Sequence, residues 1–162
     1  MRLLVFAKNE LLQHITGMEL NTEPTGLHTP WGKRLPNKGG IVAKLVYRET
    51  SLCFVCTHLA AHEGHEHCLD RNEHAQRVQA GARVGDREVD LGSQFDHVFW
   101  AGDLNYRVNV DPSVATEHPD KWNWVKSRID NRQWAEIFER EELTNEIYFN
   151  HVRSTAPKLL RL

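Results

Sequence analysis

The sequence predicts a sandwich or layered α/β fold, with apolar strands packed against helices in one domain. Three observations carry this. Two apolar runs, Gly40–Tyr47 and Leu52–Leu59, flank a short polar turn and read as a β-hairpin. The polar stretch Asp70–Val84 has helical spacing, and the apolar run that opens Phe99-Trp-Ala-Gly-Asp-Leu-Asn-Tyr-Arg107 stops abruptly at a glycine. With 162 residues, 40% hydrophobic and 26% charged, the chain has enough apolar material for one core.

The elements follow in order. Arg2–Ala7 reads as a first strand. It is too short to span a membrane, lacks a signal-cleavage pattern and meets Lys8-Asn-Glu10 at once, so the chain reads as cytosolic. In the hairpin's second strand Leu52, Phe54 and Cys56 share one face and Cys53 and Val55 the other, which predicts cover on both sides. Cys53, Cys56 and Cys68 are odd in number and suit a reducing compartment. Strand periodicity sends Cys53 and Cys56 to opposite faces, which disfavours a zinc knuckle or redox pair and predicts core cysteines.

The next helix is predicted over 70–84, with Ala75, Val78, Gln79 and Ala82 on one stripe, Asp70 as its cap and Gly85 as its stop. Residues 86–95 read as a charged connection to the strand Val98–Ala101, and Asp111-Pro112 as a turn into a short helix. Trp122, Val125 and Ile129, then Trp134, Ile137 and Phe138, form two helical stripes broken near Asp130-Asn131 and are expected in the core. Asn150–Leu162 loses periodicity and reads as a tail or edge.

A net charge of −2 removes the broad electrostatic case for duplex nucleic acid. The polar clusters are local. Asp103 and Asn105 are two apart, so an extended backbone puts both on one face, where a carboxylate and a carboxamide can orient a metal-bound water toward phosphate. Both are also ordinary turn residues. Asn37 and Lys38 precede Gly39-Gly40, either as a plain turn or as a loop whose backbone N–H groups and ammonium meet an anion. His58 leaves the sheet as Asp103 does, and can contact a phosphoryl oxygen. His62, His65, His67 and Cys68 invite a zinc reading, which is disfavoured because they crowd one short loop. Arg71 and Asn72 suit either a phosphate or a helix start.

In this order, N-K-G-G, H-L-A-A-H, R-N and F-W-x-G-D-L-N-Y-R resemble the inositol polyphosphate 5-phosphatases of the Mg²⁺-dependent endonuclease, exonuclease and phosphatase superfamily. The resemblance runs from about Arg2 to Asp111 and more faintly to Ile147. It implies a four-layer β-sandwich flanked by helices and hydrolysis of the 5-phosphate of phosphoinositides or inositol polyphosphates. By this resemblance Asp103 activates water, Asn105 orients water and phosphate, and His58 contacts the scissile group. Asn37 and Lys38 meet a second phosphate, Arg71 and Asn72 match the family's R-N pair at the substrate, and Tyr106 and Arg107 complete the strand-end motif, Arg107 as a brace.

The implied cofactor is Mg²⁺. The implied setting is cytoplasmic, with no nucleic acid, no transmembrane segment, and membrane contact only through a lipid substrate. The resemblance is to the middle of a catalytic domain, residues 1–149, followed by a divergent or truncated edge at 150–162. The family's metal-binding glutamate has no counterpart; Glu10 is not that residue, and Asp130 and His151 lack the context of its later W-x-D-R-I and S-D-H motifs. Two alternatives follow: an inactive fragment or paralogue that binds phosphoinositides, and a Mg²⁺-dependent nuclease of the same superfamily.

Overall fold

The structure is a computed structural model and describes residues 1–26, 37–111 and 121–149. It divides into two compact units, one over Met1–Asn105 and one that begins at Tyr106. Leu35-Pro36 of the lysine loop, the short helix expected after Pro112 and the segment 150–162 lie outside the described residues.

The first unit is built on one mixed sheet in the order β1-β2-β3-β4: β1 is Ile15–Pro24, β2 Gly39–Tyr47, β3 Thr50–His58 and β4 His97–Asp103. The β2–β3 hairpin forms as its sequence predicts, closing through Arg48-Glu49 with Arg48 at φ 56°. β4 is parallel to β3, which requires a crossover over the sheet. That crossover contains α1, His65–Gly81, and α2, Leu91–Gln94.

One sheet face presents Val42, Cys53, Val55 and Val98 to Val78 of α1, Leu91 of α2, and Ala82 and Val84 between them. Each fully buried Val or Leu contributes about 1.5–3 kcal/mol. The second glycine of the lysine loop serves this packing: a Cβ at Gly40 would stand 2.6 Å from Val78 Cγ1. Gly39-Gly40 therefore lies in β2, with its backbone committed to the sheet rather than to an anion.

The other face departs from expectation. Along β3 only Cys53, Val55 and Thr57 are buried, while Leu52, Phe54 and Cys56 stay half-buried. Phe54 and Phe99 stack here with centroids 5.2 Å apart, and Leu20 and Met18 of β1 are exposed. Residues 1–14 cover it only in part: the Cys56 thiol donates to the Arg2 carbonyl at 3.9 Å, and a cavity of about 540 Å³ opens between Val5, Leu12, Leu45 and Phe54.

Several boundaries move. Arg2–Ala7 is not a strand; it precedes a 3₁₀ turn at Asn9–His14, and the first strand is β1. β1 escapes a pattern search because it is an edge strand with few apolar residues, tied instead by the Glu19–Lys44 ion pair at 2.9 Å. α1 starts five residues early at His65 behind Gly64, so Asp70 is inside it, bound to His67 Nδ1 at 3.3 Å, and the helix stops at Gly81 rather than Gly85. The charged connection holds α2, whose cap is Asp90 accepting from the Gly92 and Ser93 N–H groups at 2.8 and 3.1 Å.

The second unit holds α3 Lys121–Asp130, α4 Trp134–Phe138 and α5 Glu142–Phe149, with the expected break after Asp130. Its buried aromatic is not on the anticipated stripe. Trp122 is 70% exposed and Ile129, Trp134 and Phe138 are exposed, while Trp124 is 0% exposed beneath the guanidiniums of Arg128 and Arg140, 4.6 and 5.2 Å from its ring. Two guanidiniums over one indole add about 0.5–2 kcal/mol each to its burial.

Candidate functional site

Strand register assembles the site. Gly39 pairs with His58 and His58 with Asp103, so the start of β2 and the ends of β3 and β4 lie side by side. Adjacent strands are about 4.8 Å apart, which puts three functional positions within reach of one small ligand. The pleat that buries Thr57 turns His58 to the sheet face opposite α1.

Lys38, just before β2, places Nζ 2.7 Å from His58 Nε2. An ammonium only donates, so Nε2 is the acceptor and the ring proton sits on Nδ1. Asp103 Oδ2 lies 3.6 Å from the same nitrogen, and its side chain is 65% exposed. A cation, an imidazole and an accessible carboxylate thus converge. Asn37, beside Lys38, is exposed at the mouth of an adjoining cavity of about 480 Å³ that Lys38, His62 and Arg77 also line.

Asp103 and Asn105 do not share a strand face as expected. β4 ends at Asp103, and Asn105 adopts φ 59° with its N–H donating to Asp103 Oδ1 at 3.2 Å. This is a turn closed by the aspartate, a role open to Asp and Asn. The Asn105 amide then donates to the Leu59 carbonyl at 3.1 Å, while Leu59 N–H donates to the Asp103 carbonyl at 3.0 Å. The exits of β3 and β4 are laced together. Gly102 permits it: its φ of +121° and the Thr57 backbone leave no room for a Cβ.

Arg71 and Asn72 are placed otherwise than a surface phosphate fork would be. Both are buried in α1, and the Arg71 guanidinium donates to the carbonyls of Ala60 and His62 at 3.4 and 2.8 Å. Tyr106 and Arg107 open the second unit, where the Arg107 N–H donates to Glu142 Oε2 at 2.8 Å and its carbonyl accepts from Glu142 N–H at 2.9 Å. Sequence reasoning missed Thr57, which accepts from Trp100 Nε1 at 2.9 Å and ties β4 to β3 next to His58. The signal available was a threonine and a tryptophan in neighbouring apolar runs, which is too common to single out.

Cys53 and Cys68 are buried as expected of core cysteines, while Cys56, on the open face, stays half-buried. Cys53 and Cys56 face opposite sides of β3, and burial pushes the Cys53 thiol up to about 12. The histidine run forms no zinc centre: among the described residues no three His, Cys, Asp or Glu side chains gather as a metal-binding group. The same fact bears on Mg²⁺. One carboxylate near a lysine ammonium does not make a divalent-cation site, so these residues alone do not fit the ion.

The chain's likenesses give its family. Residues 1–155 match the family model of endonuclease/exonuclease/phosphatase family 2. The phosphatidylinositol 3,4,5-trisphosphate 5-phosphatase 2B of Danio rerio is 32% identical over 148 residues, 90% of this chain and 11% of that protein. The type IV inositol polyphosphate 5-phosphatase 7 of Arabidopsis thaliana is 31% identical over 159 residues, 93% of this chain and 24% of that one. The inositol polyphosphate 5-phosphatase domain of SPsynaptojanin, solved with inositol (1,4)-bisphosphate and calcium ion, superposes with a TM-score of 0.66 at 25% identity, over 88% of this chain and 36% of that chain. The chain thus spans about a tenth to a quarter of these curated relatives. A mixed sheet whose strand ends gather a lysine, a histidine and an aspartate, matched along nearly its whole length, makes this chain a member of endonuclease/exonuclease/phosphatase family 2, with inositol polyphosphate 5-phosphatases as its homologues.

Proposed function

We propose that the chain handles the phosphates of inositol polyphosphates or phosphoinositides and takes part in removing the 5-phosphate. The observation that carries this is the Lys38–His58–Asp103 convergence at aligned strand ends. A phosphate monoester dianion seated there meets the Lys38 ammonium and the His58 ring, and Asp103 accepts a proton from the attacking water. Asn105, anchored on the Leu59 carbonyl, holds the Asp103 turn in place. Asn37, lining the cavity beside Lys38, is assigned to a second phosphate of the substrate. Magnesium is proposed as the reaction's cation from the family resemblance, and it would need ligands beyond Asp103. Cytoplasm is the proposed compartment, and the lipid headgroup the only membrane contact proposed; among the described residues no helix is long and apolar enough to cross a bilayer.

The test is phosphate release from a 5-phosphorylated inositol lipid and from a soluble inositol trisphosphate, with Mg²⁺ and with EDTA. Asp103→Asn is expected to lower release on the order of 10²–10³-fold, as loss of a catalytic polar group does. Release unchanged by Asp103→Asn defeats the role given to this residue. A second reading, binding without turnover, is favoured by the absence of a three-group metal cluster among the described residues. It predicts saturable binding of inositol (1,4)-bisphosphate, weakened by Lys38→Ala, and no phosphate release under either condition.

A further inference from the structure

We infer that Arg71 is a positioning residue for the strand-end site: from inside α1 its guanidinium sets the path of the chain that leaves His58. The inference rests on the reading of that site as a phosphate cradle. Beyond His58 the backbone must leave the sheet, cross to Gly64 and enter α1. Its carbonyls are held one after another. Leu59 O accepts from Asn105, and Ala60 O and His62 O accept from Nη1 of Arg71 at 3.4 and 2.8 Å. His62 sits at φ 77°, a left-handed conformation that a non-glycine residue keeps only when its surroundings enforce it.

Arg71 is 0% exposed, so it acts on the loop from within and does not compete for ligand. One nitrogen, Nη1, reaches both carbonyls from a planar guanidinium whose orientation is fixed by burial, which a lysine ammonium on a flexible stem reproduces only in part. The loop it holds forms one wall of the cavity beside Lys38, through Ala60, Ala61 and His62. Leu59 is also the residue through which the Asp103–Asn105 turn is tied to β3. Strand register sets His58 beside Asp103, and the guanidinium holds the loop that carries the chain away from His58 along the cavity beside Lys38.

The test compares Arg71→Lys and Arg71→Gln with Val78→Ala, which weakens the core from the same helix. In the full chain, amide exchange of residues 59–63 is measured beside that of β2 and β3, together with the ¹⁵N shifts of the His58 ring. Loss of one charge-assisted hydrogen bond corresponds to about tenfold faster local opening. The expected result is that increase confined to 59–63, loss of the Nδ1–H signature of His58, and weaker binding of inositol (1,4)-bisphosphate, with Lys closer to wild type than Gln. Val78→Ala is expected to raise exchange throughout and keep the His58 signature. Uniform exchange increases in the Arg71 variants, or an unchanged His58 ring, overturn the inference. If the wild type does not bind the inositol phosphate, the cradle reading fails, while the exchange and ring measurements still decide what Arg71 positions.

Discussion

At the scale of single residues, the absence of a side chain at Gly102 matters as much as the presence of one at Asp103. A φ of +121° lies outside what L-residues adopt comfortably, and a Cβ would collide with the Thr57 backbone. Gly102→Ala is therefore expected to destabilise the chain by more than about 1 kcal/mol and to displace Asp103, read as a lower urea midpoint. A midpoint equal to wild type would refute this. His74 of α1 supplies a pH dependence. Burial first, and Arg77 second, hold its imidazole below the ordinary histidine value, and its Nδ1 is buried without a hydrogen-bond partner. The folded state therefore takes up this proton less readily than the unfolded chain. Its contribution is fully present above about pH 6.5 and is lost as pH falls toward the lowered folded value. Thermal midpoints are expected to fall on acidification through that range and to fall less in His74→Gln; equal slopes would remove His74 from the account.

At the scale of elements, the open sheet face has a measurable cost. Met18 and Leu20 of β1 are exposed beside the Phe54–Phe99 stack, an apolar patch of the kind that draws partners or promotes association. The chain is expected to bind a hydrophobic dye and to self-associate with concentration, both reduced in Met18→Lys/Leu20→Lys; a monomeric wild type indifferent to the dye counts against this. This scale also separates what the sequence discloses from what it hides. The hairpin and β4 were legible because strong apolar runs end at turn residues, and His58, Lys38 and Asp103 were legible because they stand at those ends. β1 and α2 were not. β1 is stabilised by pairing and an ion pair at an edge, and α2 is a single capped turn whose one core residue, Leu91, makes no period. The Trp122 stripe misled because Trp124, off the apolar spacing, is the tryptophan that is buried, under two arginines that no periodicity search would pair with it. The bracing role of Arg71 was hidden because only tertiary structure brings its loop partners to it.

At the scale of the whole molecule, the site is a property of topology. The positions aligned across β2, β3 and β4 come from a local hairpin and from a strand reached only after residues 59–96. A hairpin closes in about 1–10 μs. The parallel pairing must first recover the chain entropy of the entire crossover, so it forms later. On refolding, the lysine and histidine meet early, and the aspartate is delivered when the last seam of the sheet zips shut. Pulse-labelled exchange is expected to protect β2 and β3 amides before those of β4; simultaneous protection would contradict this order. If the proposed cradle takes phosphate, that competence is the final property the nascent fold acquires, and a chain stalled midway is a hairpin lacking the aspartate.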